Sequence, residues 1–170
     1  MKYFIVEVNE NYVAPMPKDC FGIIDRKTLS REKMYQMPRH LLFTVEGHMQ
    51  MVFTDVLTFP CFMVSGMVRD VIRKYDPFVW FLRVILLDKE RKRSMAYYIP
   101  YLDKARYEEI RDENKKNVRH ILVEGKAAGE RTIVEIEDGH NSHVIMRMDL
   151  VESILRRGAI GIGLREVQIK

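Results

Sequence analysis

A chain of 170 residues with 47% apolar and 31% charged side chains has the composition of one globular domain. It can bury roughly 70% of its unfolded surface and so needs no disulfide or metal staple. Its 28 basic and 24 acidic residues leave a net charge of +4 with both signs interspersed, which excludes a long like-charged tail and offers no concentrated basic face to a nucleic acid.

The opening "MKYFIVEVNENY" carries Glu7 inside a short apolar stretch and no small-residue cleavage site, so it does not read as a signal peptide. The longest apolar run, "FVWFLRVILL" at 78–87, is broken by Arg83 and is far short of a bilayer span. Cys20 and Cys61 stand far apart in no metal-like spacing, which suits reduced thiols and a cytoplasmic location. Cys61, in "FPCFMV", reads as a small buried hydrophobe.

In chain order, "KYFIVEV" at 2–8 predicts a first strand. Residues 9–40 hold Pro15, Pro17 and Pro38 and predict mostly loop, with one short helix around 28–35. "HLLFTVEGHMQMVFTDVL" offers two apolar runs around Glu46-Gly47, the outline of a hairpin. In "FMVSGMVRDVIRKY" the residues Met67, Val68, Val71 and Ile72 fall on one helical face, Ser65 stands at the N-cap, and Asp76-Pro77 ends the helix. "FVWFLRVILL" then predicts a strand buried on both faces except at Arg83, and "SMAYYIPYL" its antiparallel partner.

Residues 103–117 are polar nearly all round and read as an exposed helix or loop. "VRHILVE" at 118–124 predicts a strand, and "GERTIVEIEDGHNSHVIMRMD" a hairpin turning at Asp138-Gly139, a dipeptide that tolerates the positive φ of a type I′ turn. "DLVESILRR" predicts a helix capped by Asp149, with Glu152 completing a capping box and Arg156 and Arg157 in the last turn. Gly158 stands where a left-handed residue closes a helix. Beyond it, Ile160, Ile162 and Leu164 alternate with small residues in a strand pattern whose parity flips at Val167 and Ile169, suggesting a bulge near Arg165-Glu166. The order helix, glycines, strand is the reverse of a phosphate-binding loop, so these glycines serve backbone geometry.

Shifted by 83 residues, "MVRDVIRKYDPFVWFLRVIL" falls on "LVESILRRGAIGIGLREVQI" with one residue of slack. Each copy is a capped helix, a breaker and an apolar strand. The expected fold is therefore α+β: a largely antiparallel sheet with a few short helices packed on it, containing two helix–strand units at about 65–87 and 149–169.

Candidate chemistry is sparse. His140 and His143 beside Asp138 offer two metal ligands where a catalytic zinc wants three. Ser65 lacks the preceding glycine of a nucleophile elbow and is accounted for as a helix cap. Tyr97, Tyr98 and Tyr101 stand too close together for a stacking platform and read as core and rim packing. No catalytic residue, cofactor or metal set is therefore expected. The densest basic stretch is "DKERKR", with Lys89, Arg91, Lys92 and Arg93 in an exposed turn between two strands.

Four segments in this order, "FTDVLTFPCFMVSGMVRDVIRKY", "VWFLRVILL", "YYIPYLD" and "VIMRMDLVESILRRGAIGIGLREVQI", resemble a bacterial family of immunity proteins from polymorphic toxin systems, first catalogued as a domain of unknown function. A "D-x-L…P…VS" approach to a short helix and a closing helix–glycine–strand carry the resemblance, over roughly residues 53–170. Residues 1–50 contribute nothing to it.

The resemblance implies one non-enzymatic domain over residues 1–170 that binds a cognate protein toxin in the cytoplasm and neutralises it. Lys89, Arg91, Lys92 and Arg93 are the candidate contact. The basic charge does not favour a nuclease bound by charge mimicry. The alternative is a nucleic-acid-associated accessory protein using the turn 88–93. Nucleic acid is the less favoured partner, no membrane is involved, and a homodimer stays open.

Overall fold

Alternation in "YFIVEV" builds strand β1 (Tyr3–Val8), which turns Tyr3 and Ile5 to one face and Phe4 and Val6 to the other. The computed structural model describes residues 1–25, 28–29, 33–111, 118–123, 131–137 and 140–169. After β1 come a single 3-10 turn (Met34–Gln36), β2 (His40–Thr44), β3 (Val56–Leu57), β4 (Met63–Ser65) and helix α1 (Gly66–Tyr75). The long strands β5 (Trp80–Asp88) and β6 (Arg93–Tyr101) follow, then β7 (Lys104–Arg111), β8 (Val118–Val123), β9 (Ile133–Glu137) and β10 (Ser142–Arg147). Helix α2 (Met148–Leu155) and β11 (Ile162–Ile169) close the order.

The fold is α+β, with two mostly antiparallel sheets in place of the one expected. The first is five-stranded, in the order β2-β5-β6-β4-β3; the second closes into a barrel, β1-β10-β9-β7-β8-β11. The helix–strand repeat is architectural. β4, α1 and β5 form a strand–helix–strand unit whose two strands both pair antiparallel with β6. β10, α2 and β11 repeat the plan around β1. Each helix crosses from one flanking strand to the other over a central strand.

Three apolar clusters follow from this layout. Tyr3, Ile5, Tyr107, Val134, Ile136, Ile145 and Val167 fill the barrel. On the five-stranded sheet, Val84, Leu86, Tyr97 and Ile99 pack beneath Cys20, Ile24 and Met51. Between the sheets lies the third cluster, where Val68, Val71 and Ile72 of α1 meet Leu150, Val151 and Ile154 of α2. Val64 of one sheet and Val6, Val144 and Met146 of the other complete it. Full burial of each such side chain contributes about 1.5–3 kcal/mol, which makes this shared cluster the main link between the two halves.

Several sequence expectations hold. Ser65 caps α1, its Oγ accepting from the Val68 N–H at 3.4 Å. Antiparallel β5–β6 pairing runs from Trp80↔Tyr101 to Asp88↔Arg93. β9 and β10 pair from Ile133↔Met146 to Glu137↔Ser142, while the expected turn at Asp138-Gly139 lies outside the described residues. Gly158 takes φ +76° just past α2.

Others are corrected. No hairpin forms around Glu46-Gly47: β2 runs parallel to β5. At the end of β2 its other side is met by the N-terminal segment, through a Pro17↔Val45 bridge and the Lys18 N–H donating to the Thr44 carbonyl at 2.9 Å. The weakly patterned N-terminal part thus covers the sheet. Residues 104–111, expected as helix or loop, form β7; Ala105 and Tyr107 alternate into the barrel while Lys104 and Arg106 face out.

β5 is not buried on both faces throughout, since Trp80 is exposed as well as Arg83. Asp149 is not the cap of α2. The helix begins at Met148 behind Arg147, which caps it without a side-chain bond; the Arg147 N–H donates to the Thr132 carbonyl at 2.8 Å and the Met148 N–H to the Lys2 carbonyl at 3.0 Å. Asp149 instead binds the Arg147 guanidinium through both oxygens at 2.8 Å, and Glu152 pairs with Arg156 at 3.6 Å.

No bulge interrupts β11 where the parity flips. Its register with β1 runs unbroken from Val8↔Ile162 to Tyr3↔Val167. What changes is the buried face: Ile162 packs outside the barrel on the shared cluster, and Val167 packs inside it.

Candidate functional site

The basic turn folds around its own acid. Asp88 ends β5 with 0% of its side chain exposed. It accepts from the Arg91 backbone N–H at 3.2 Å and from the Arg93 guanidinium at 3.2 Å, with the Arg91 guanidinium at 3.7 Å. Desolvation opposes its ionisation, but these donors outweigh it and hold the Asp88 carboxyl below the usual carboxylate range. Arg93 also reaches the Met51 carbonyl at 3.4 Å and lies 5.3 Å from the Phe53 ring centroid. Arg91 pairs with Glu90 at 3.5 Å. Of the four predicted contact residues, Arg91 and Arg93 therefore lock the turn, while Lys89 and Lys92 project from it. Lys92 sits at φ +52°.

The "D-x-L…P…VS" residues form a joint. Asp55 Oδ1 accepts from the Ser65 hydroxyl at 2.6 Å, and Oδ2 accepts from the Ile160 N–H at 2.7 Å. Its own N–H donates to the Ile160 carbonyl at 3.0 Å, and its carbonyl takes the Ser65 N–H at 2.9 Å. One residue thereby ties β3, the start of α1 and the α2–β11 loop together. Ser65 is buried in this joint, as its cap role requires.

The tyrosines divide as packing predicts. Tyr97 is buried and donates to the Thr54 carbonyl at 2.8 Å, and the Arg69 guanidinium lies 4.0 Å over the Tyr98 ring. His143 stacks edge-on against Tyr107 with ring centroids 5.8 Å apart. Among the described residues no group of three His, Cys, Asp or Glu side chains is placed to hold a metal. Among them, too, no helix is long and apolar enough to cross a membrane.

Two features escaped the sequence. The first is an aromatic corner where α1 passes into β5. Phe78 is 84% exposed and Trp80 63% exposed. The backbone beneath them is fixed: the Asp76 N–H donates to Ile72 at 2.8 Å, the Phe78 N–H donates to the Asp76 carboxylate at 3.2 Å, and Val79 packs on the shared cluster. Tyr75 donates to the Asp149 carbonyl at 3.1 Å, and Arg131 bridges Asp103 at 2.7 Å and Asp76 at 3.9 Å. The residues read as part of a buried strand because the run is apolar from Phe78 to Leu82; the break at Asp76-Pro77 was the one available sign that its first residues precede the sheet.

The second is a cleft of about 380 Å³ between the barrel wall and the end of the five-stranded sheet. Val6 and Val144 line one side, Phe62 and Ile99 the other, and Lys104, Glu135, His140 and His143 are among its polar members. Cys61 lies here too; burial and then the Glu135 charge push its thiol up, away from reactive thiolate. Chain segments from β1 to β10 meet at this cleft, so no local pattern announces it.

Searches against protein-family models and against curated proteins returned no match to this chain.

Proposed function

We propose that this chain is a non-enzymatic immunity protein that binds and neutralises a cognate toxin domain in the bacterial cytoplasm. The resemblance of residues 53–170 supplies the class, and the exposed Phe78 and Trp80 on a braced corner supply the observation that carries a protein-binding role. Large aromatics held out in water are a cost to a free protein and an asset at an interface, where tryptophan is enriched among the residues that dominate affinity. A braced backbone adds to this, because little conformational entropy remains to be lost on binding. An ordinary tight complex would bury about 800 Å² on each partner around this corner.

The test is growth of a host expressing the neighbouring gene product with and without this chain. Toxicity relieved only by co-expression supports the reading, and a harmless neighbour, or killing regardless, overturns it. With the partner in hand, Trp80→Ala is expected to weaken binding by about 30-fold or more, corresponding to about 2 kcal/mol. Lys89→Glu with Lys92→Glu tests the basic turn as a second contact without breaking the Asp88 lock.

A further inference from the structure

We propose that the cleft between the barrel and the five-stranded sheet binds a small primary amine carried on an apolar body. At about 380 Å³ the space lies within the range of small-molecule sites, about 300–1,000 Å³, and such sites favour the junction of two packed units. Val6, Phe62, Ile99 and Val144 give it apolar walls on both sides.

Its polar groups decide the ligand. Lys104 is taken by Glu137 at 3.1 Å, and Glu7 at the rim has Arg165 at 4.0 Å. Glu135, the register partner of Lys104 across β7 and β9, is half-buried, and among the described residues no ion pair or hydrogen bond engages its carboxylate. An unpaired carboxylate beside apolar walls lacks part of its hydration, and a bound cation restores the lost stabilisation. An ammonium has three donors and no acceptor, so it can serve the Glu135 carboxylate while its apolar body lies against the walls. A carboxylate or phosphate ligand would meet Glu135 with like charge, and a purely apolar one would leave it unserved. The inference stands independently of the toxin partner.

The experiment uses the full chain and three probes of nearly equal shape: 2-phenylethylamine, 2-phenylethanol and phenylacetate. Binding is followed by calorimetry and by amide chemical shifts. The amine is expected to bind in a one-to-one complex, with shifts concentrated at residues 99–105, 133–137 and 140–144, and about tenfold or more tightly than the alcohol. Phenylacetate is expected not to bind. Glu135→Gln keeps the side-chain shape and should erase the preference for amine over alcohol, and Tyr101→Phe, whose hydroxyl is closed off from the cleft, should leave amine binding unchanged. Thermal melts of both variants establish that they fold. Absence of amine binding to the native chain, phenylacetate binding as well as the amine, or a preference that survives Glu135→Gln would each overturn the proposal.

Discussion

Asp55 and Asp88 are both carboxylates anchored by several donors, and their loss should be felt differently. Asp55 holds a hydroxyl and a backbone N–H from two segments far apart in sequence. Asp55→Ala leaves both without their acceptor and is expected to cost about 3 kcal/mol, read as a lower midpoint in urea. Asp88 binds within its own turn, so its loss should loosen the basic turn. Its native pKa is depressed, so its contribution is present above the unfolded value of about 3.9 and is lost as pH falls through the native value. Asp88→Asn should therefore lower the melting temperature at neutral pH, with the gap to the native chain closing in acid. An equal gap across that range would show that the carboxylate's charge is not what holds the turn. None of this was readable beforehand. "DKERKR" shows two acids among four bases, but not that Asp88 alone points inward.

At the scale of elements, the stretch from α2 to β11 shows how spacing and space act separately. Gly158 at φ +76° and Gly161 at φ +73° both use backbone that a side chain disfavours. A Cβ on Gly158 would meet open space, whereas one on Gly161 would collide with the Thr54 side chain. Gly158→Ala is expected to cost about 1 kcal/mol, from conformation alone. Gly161→Ala should cost more than twice as much in the same urea titration. The role of Gly158 was legible because a helix end is local. Gly161 owes its second constraint to a loop more than a hundred residues away, which no local pattern encodes. The same division explains β7 and β11. Their alternation is local, but β7's inward residues and β11's change of buried face both exist because the sheet closes into a barrel.

For the whole molecule, the shared cluster decides whether two sheets behave as one unit. Ile72 is fully buried between them. Ile72→Ala is expected to destabilise by about 2–5 kcal/mol and to leave one cooperative transition. Trp80, the only tryptophan, reports on the five-stranded sheet, and far-UV circular dichroism reports on both. Coincident curves would establish one folding unit, while separated curves would show that the barrel and the open sheet unfold independently.

By itself the sequence determined the α+β class, the two helix–strand units, the Ser65 cap, the β5–β6 and β9–β10 pairs and the helix-closing Gly158. Each depends on residues within a few positions of one another, where periodicity, capping and turn chemistry act. Only the tertiary structure decided that six strands close into a barrel, that β2 lies parallel to β5, that Arg91 and Arg93 are spent on Asp88, that Phe78 and Trp80 stand in water, and that Glu135 lines a cleft. These depend on which distant segments meet, and burial, the property that turns a charge into a lock or an aromatic into a contact, belongs to the assembled chain.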